Sequence, residues 1–326
     1  MASKFLHTPV IRTSKSTHIL NQTSSTLSLT YSFTTTHHQH HLLIIPKCTL
    51  SMSSPSKPPT TKEEAILQAK TSLLYTLEKP LNNPRLTGKL KKIRQPRFRV
   101  EIPVIDDSPS SLSQLALQVF GEMPLRRKGS KTKILLLWAS RDLTQAAIEV
   151  FDSRSSDILI QHIDTSSVLD EDIRTVSSAD VAVFLAPEAS QLEIMKTVSD
   201  SLYPRPVVIF NPKWAFEEEM DFGEMSEFVG SFDVVYSFTG LEVRGILSKR
   251  KGVIFKCVKN GVLSGENWNI YVEEGEGDLR VVSRFKARPS ISEVENVLYN
   301  LMAINSPVTK SAKFLKDLVS NVTGKK

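Results

Sequence analysis

Ile134-Leu135-Leu136-Leu137-Trp138 is a five-residue apolar run, and Ala139-Ser140-Arg141-Asp142 after it opens a helix-like segment. The unit recurs: residues 157–163 and 181–185 are further short apolar runs, each followed by a helical pattern, and Val207-Val208-Ile209-Phe210 closes the series. Short, almost continuous apolar strands alternating with helices are what a parallel sheet covered on both faces requires. The stretch therefore predicts a doubly wound α/β layer.

Upstream of it, Phe98, Val100, Ile102 and Val104 alternate with polar or proline positions, giving a first strand with one covered face. Thr61-Lys62-Glu63-Glu64 is a capping box, in which Thr61 and Glu64 satisfy free amides at a helix start. Ile66, Ala69, Leu73 and Leu77 then recur at helical spacing up to Pro80, which ends the helix. Ser108-Pro109 opens a second helix, with Leu112, Leu115, Ala116, Val119 and Phe120 on one side.

Downstream the character changes. Residues 234–238, 252–258, 268–272 and 279–285 read as strands joined by turns such as Lys259-Asn260-Gly261, for which antiparallel pairing is natural. Ser290-Ile291-Ser292-Glu293 is a second capping box before a closing helix built on Val294, Val297, Leu298 and Leu301. The expected fold is α/β, a mostly parallel sheet flanked by helices with an antiparallel C-terminal extension.

Charge separates this body from its leader. The first acidic residue is Glu63, and the basic residues before it, Lys4, Arg12, Lys15, Lys47, Lys57 and Lys62, equal the whole-chain excess of +6. An acid-free, Ser/Thr-rich, mildly basic N-terminus is the pattern of an organelle transit peptide, and the dominance of hydroxyls over Arg favours a chloroplast. Ile45-Pro46-Lys47-Cys48 resembles a stromal processing site. We read 1–48 as the transit peptide, 49–60 as a linker, 61–306 as one α/β domain and 307–326 as a basic tail. No apolar run approaches the roughly 20 residues that span a bilayer.

Beyond residue 48 the only cysteine is Cys257 and the only histidine His162. That argues against an intrachain disulfide, a Cys/His zinc site and an iron–sulfur cluster, so no metal is expected. Cys257 alternates with Phe255 and Val253 and reads as a buried strand thiol rather than a nucleophile, and His162, at a strand end beside Asp164, as a structural histidine rather than a general base. In an open parallel sheet, ligands bind beyond the carboxyl ends of the strands. The residues there are Ser140-Arg141-Asp142, Asp164-Thr165, Pro187-Glu188 and Asn211-Pro212-Lys213-Trp214. None of these turns has the glycines that let a backbone approach phosphates, and no Rossmann or Walker pattern is present, so no cofactor is expected. Ser140, Asp142, Asn211, Lys213 and Trp214 are ligand-site candidates. The simpler readings are a helix cap for Ser140 or Asp142, a turn for Asn211 and core packing for Trp214.

Glu217, Glu218, Glu219 and Asp221 form an acidic cluster, read as a solvated face or turn, with an acidic docking surface as the alternative. Lys89, Lys91, Lys92, Arg94, Arg97 and Arg99 form the densest basic run. It reads as a solvated loop, a membrane or partner surface, or, with no aromatic RNA-binding signature beside it, less readily as a nucleic-acid contact.

Asn211-Pro212-Lys213-Trp214, the segment Phe232-Asp233-Val234-Val235-Tyr236-Ser237-Phe238 and Lys251-Gly252-Val253-Ile254-Phe255 together resemble a plastid and cyanobacterial domain-of-unknown-function family typified by the low photosystem II accumulation three protein. A region appended to a chloroplast adenylate kinase is similar, although no adenylate-kinase residues match here. The resemblance implies a stromal or thylakoid-peripheral factor that assists photosystem assembly by binding photosystem subunits or other thylakoid proteins, and it carries no catalytic residues. Two other readings stay open: a small-ligand binder or uncharacterised stromal enzyme, and a plastid RNA-binding protein.

Overall fold

A computed structural model describes residues 57–82, 94–104, 108–152, 159–168, 173–244, 249–275 and 277–304, together with two-residue strands at Leu6–His7, Leu27–Ser28 and Thr30–Tyr31. Most of the expected transit peptide, the linker up to residue 56, the basic tail, and Lys89, Lys91 and Lys92 lie outside the described residues.

The apolar runs are the strands. We number them β1 (Arg97–Glu101), β2 (Lys133–Trp138), β3 (Leu159–Asp164), β4 (Val181–Leu185), β5 (Val207–Phe210), β6 (Asp233–Arg244), β7 (Lys249–Cys257), β8 (Trp268–Glu274) and β9 (Asp278–Phe285). The helices are α1 (Lys62–Asn82), α2 (Pro109–Phe120), α3 (Arg141–Asp152), α4 (Ile173–Ser178), α5 (Leu192–Leu202), α6 (Met225–Gly230) and α7 (Ile291–Ile304).

The chain falls into two compact units, a larger one built on Tyr31–Thr239 and Phe255–Glu266 and a smaller one built on Gly240–Ile254 and Asn267–Lys326. In the larger unit the strands lie in the order β6-β1-β5-β4-β2-β3, every neighbouring pair parallel. Strand alternation sends Leu135, Leu137, Phe184, Val207 and Ile209 to one face, where Met195, Val198, Trp214, Phe228 and Phe232 cover them. Phe210 points to the opposite face and meets Phe120 of α2 edge-on at 5.4 Å. The smaller unit runs β6-β7-β8-β9, with β8 and β9 antiparallel, and its core joins Leu241, Ile270 and Val272 to Val294 and Leu298 of α7. The fold class read from the sequence is the one observed.

Local signals hold with two shifts. Thr61 accepts the Glu64 amide as a capping box demands, at 3.1 Å, but the Glu64 carboxylate reaches back to Thr60, at 2.8 Å from its amide. Pro80 does not end α1, which runs to Asn82. Pro80 has no N–H to give the carbonyl four residues back, but only two residues of the helix follow it, and the Asn82 side chain donates to the Glu78 carbonyl at 3.0 Å, satisfying one of the acceptors a helix end leaves free. Ser290 and Glu293 form the second capping box as expected, with the Ser290 amide 2.8 Å from the Glu293 carboxylate.

Candidate functional site

The carboxyl edge of the parallel sheet gathers the ligand-site candidates, and Ser140, Asn211, Lys213 and Trp214 bond within the protein. Asn211 follows β5 with φ 48°, a left-handed conformation that asparagine tolerates better than most residues. Its side-chain oxygen accepts the Ile102 amide at 2.7 Å and its amide nitrogen donates to the Ile102 carbonyl at 3.0 Å, so one side chain completes the ladder at the end of β1. Beside it, the Lys213 amide donates to the Pro187 carbonyl at 2.9 Å, and the exposed Lys213 ammonium sits 3.3 Å from Glu188. Trp214 is buried in the core and donates its indole N–H to Glu219 at 3.0 Å.

The chain runs from β2 to β3 on one side and to β4 on the other, which makes the crevice between β2 and β4 the topological switch point where α/β sheets hold ligands. Gln191 occupies it. Its side-chain nitrogen donates to the Ala139 carbonyl at 2.8 Å and to Thr165 Oγ1 at 2.7 Å, while its oxygen accepts the Glu188 amide at 3.0 Å. Thr165 in turn bonds the Trp138 carbonyl through both its amide and its hydroxyl, each at 3.0 Å. Ser140 caps α3, accepting the Leu143 amide at 3.4 Å, and Asp142 lies exposed in the first turn of the same helix. The edge is stitched from β3 to β1 by its own residues. Gln191 was not singled out in the sequence, because a glutamine three residues after Glu188 reads as an ordinary helix start.

Asn211→Ala strands the two Ile102 backbone groups and loses the left-handed preference, so a loss of about 2 kcal/mol is expected in urea unfolding. Asp142→Ala and Lys213→Ala, at solvent-exposed positions, should stay within about 0.5 kcal/mol of the parent.

The basic run divides. Arg94 donates to the Ser231 carbonyl at 3.0 Å, and Arg97 lies 4.9 Å from the Phe228 ring centroid and 2.9 Å from Ser231 Oγ. Arg99 corrects the expectation of a basic surface, being only 3% exposed. Phe98 and Val100 point to one face of β1 and Arg97, Arg99 and Glu101 to the other, and the segment from Trp214 to Phe232 covers that second face as well. Arg99 is held between Glu101, at 2.6 Å from Nε, and Glu219. Ser237 Oγ donates to the remaining Glu101 oxygen at 2.6 Å. Burial opposes the guanidinium charge, but the attraction of Glu101 and Glu219 and their hydrogen bonds outweigh it, so the pKa of Arg99 is raised. The acidic cluster divides too: residues Phe216–Asp221 form a 3-10 helix in which Glu218 caps the Ala215 amide at 3.0 Å while Glu219 turns inward to Arg99 and Trp214.

His162 has a structural role. Its Nδ1 accepts the indole N–H of buried Trp138 at 3.1 Å, which leaves the proton of the neutral ring on Nε2, and Phe151 meets the ring edge-on at 4.6 Å. Asp164 is engaged with Ser166 instead. Desolvation lowers the pKa of His162 to about 4, against a smaller opposing pull from Asp152. Between that value and about 6.5 the unfolded chain holds the extra proton, so stability is complete above pH 6.5 and falls as the pH drops towards 4, by up to about 3 kcal/mol. Urea titrations at pH 7 and 4.5 should show this loss, and His162→Gln, which keeps an acceptor for Trp138, should flatten it. Cys257, expected to be buried, is half-buried, because it lies at the very end of β7.

Among the described residues there is no cluster of three or more His, Cys, Asp or Glu side chains placed to hold a metal, and no helix long and apolar enough to cross a membrane. These features define an α/β scaffold with a mostly parallel sheet whose carboxyl edge is bridged by its own side chains. The chain belongs to the family of a domain of unknown function, DUF1995, which it matches over residues 59–296. No curated protein matches it. Among solved structures, the flagellar accessory protein FlaH from Methanocaldococcus jannaschii is similar at 6% identity, over 61% of this chain and 93% of that one, with a TM-score of 0.24, too slight a likeness to bear on fold or function.

Proposed function

We propose that this chain is a non-enzymatic chloroplast protein, stromal or peripheral on the thylakoid, that assists photosystem assembly by binding protein subunits, in the manner of the low photosystem II accumulation three protein that its motifs resemble. The observation that carries the reading is the stitched carboxyl edge: Gln191 and Asn211 take up the backbone groups that a ligand of an α/β sheet would contact. The acid-free, hydroxyl-rich leader supports a chloroplast as the compartment. The inward placement of Arg99 and the packing of Arg97 on aromatic rings weigh against an RNA contact by these two residues.

The test is affinity purification of the tagged full-length protein from illuminated plastids, with mass spectrometry of both proteins and small molecules. A photosystem subunit recovered with the protein, and lost in an untagged control, is the expected result. A stoichiometric metabolite recovered without a protein partner, or accumulation of the tagged chain in another compartment, would overturn the reading.

A further inference from the structure

Arg126-Arg127-Lys128-Gly129-Ser130-Lys131-Thr132-Lys133 carries five cations in eight residues and no acid. In the structure it is a tight β-hairpin leading into β2, with Arg126–Arg127 paired antiparallel to Ser130–Lys131. Lys128 and Gly129 take φ 48° and 82°, the positive values that a two-residue hairpin turn of the primed type demands at both central positions.

The hairpin is fixed from behind. Asn82 at the end of α1 grips it on both sides, donating to the Arg126 carbonyl at 3.0 Å and accepting the Lys128 amide at 2.8 Å. Asp180 pairs with Arg127 and accepts the Lys133 amide at 3.0 Å, and Thr132 donates to the Leu125 carbonyl at 2.9 Å. Of the five cations, Arg127 is thus tied to the fold, while Arg126, Lys128, Lys131 and Lys133 are exposed. Lys79 is exposed one turn before Asn82 on the same side of α1, with Glu78 beside it.

Two features distinguish this turn from an ordinary solvated loop. Arg126 faces Lys131 directly across the ladder, which brings two cations to the same edge of the hairpin. The tip is also convex, with nothing within 4 Å of a side chain built at Gly129.

We propose that this hairpin docks the protein on an anionic membrane surface. A convex, rigid, cationic tip can present its charges together to a flat layer of headgroups, where each Lys or Arg is worth roughly fivefold in affinity. Residues 125–133 offer no aromatic ring on which a base could stack, which favours a lipid surface over single-stranded nucleic acid. The inference stands on the hairpin alone and holds whichever client the protein serves.

The test is flotation of the full-length protein with phosphatidylcholine vesicles, with and without phosphatidylglycerol, at fixed moderate salt. Arg126→Glu/Lys128→Glu should weaken binding to the anionic vesicles at least about tenfold. The control Lys196→Glu/Lys213→Glu, with the same net-charge change at other surface positions, should stay within about threefold of the parent. Arg126→Gln/Lys128→Gln, a milder pair, should fall between the parent and the reversed variant if the reversal disturbs folding. Equal losses in hairpin and control variants would show a response to net charge alone and overturn the proposal. So would undiminished vesicle binding by both hairpin variants, or a loss confined to binding of a uridine-rich oligoribonucleotide, which would make the turn an RNA contact.

Discussion

Arg99→Met is expected to cost about 3–5 kcal/mol, because it removes the cation held between Glu101 and Glu219 and leaves two carboxylates facing a covered surface. Against a typical domain stability of roughly 5–15 kcal/mol, this should be visible as a large drop in urea midpoint followed by circular dichroism. Removing the carboxylates as well, in Arg99→Met/Glu101→Gln/Glu219→Gln, should recover much of the loss, since the penalty belongs to the uncompensated charges rather than to the missing bridge. Arg99→Lys should lie between, because an ammonium cannot reach both carboxylates with the fixed fork of a guanidinium. A loss under about 1 kcal/mol in the single Arg99→Met variant would mean that the two carboxylates find water, and that the cluster is an ordinary surface network.

The second large effect belongs to Gly252 in β7. A methyl group there would sit 2.2 Å from the Tyr271 carbonyl oxygen of β8 and 3.1 Å from Leu241 Cδ1. The obstacle is backbone, which cannot rotate aside, so Gly252→Ala must push the two strands apart and should cost about 3 kcal/mol or more. Thermal unfolding of the variant, compared with Gly230→Ala, where nothing lies within 4 Å, measures it. Equal melting temperatures for the two variants would contradict the close approach of β7 and β8.

The strands and most helix starts were legible because their signals are local. Residues 134–138, 181–185 and 207–210 are apolar without interruption, and Ser108 and Ser290 sit where a cap must. The burial of Arg99 was not legible. Alternation along β1 shows that Arg97, Arg99 and Glu101 share a face, but whether that face meets water depends on Trp214–Phe232, more than a hundred residues away in the chain. Glu219 was hidden for the same reason, one carboxylate among four until the fold turns it inward. Trp214 is buried in the core, Asn211 bonds the backbone of Ile102 more than a hundred residues away, and the role of Gln191 rests on partners from three separate segments.

The position of β1 has a consequence for how the chain is made. It is the earliest strand of the parallel sheet, yet both its neighbours are late ones: it pairs with residues 207–210 on one side and 233–237 on the other. A polypeptide delivered N-terminus first, from a ribosome or through a pore, must therefore keep Phe98 and Val100 unsatisfied while β2, β3 and β4 assemble without them. The last parallel strands close the structure around the first, so a nascent chain stalled before Asp233 would present an open, sticky seam, the kind of surface that chaperones hold.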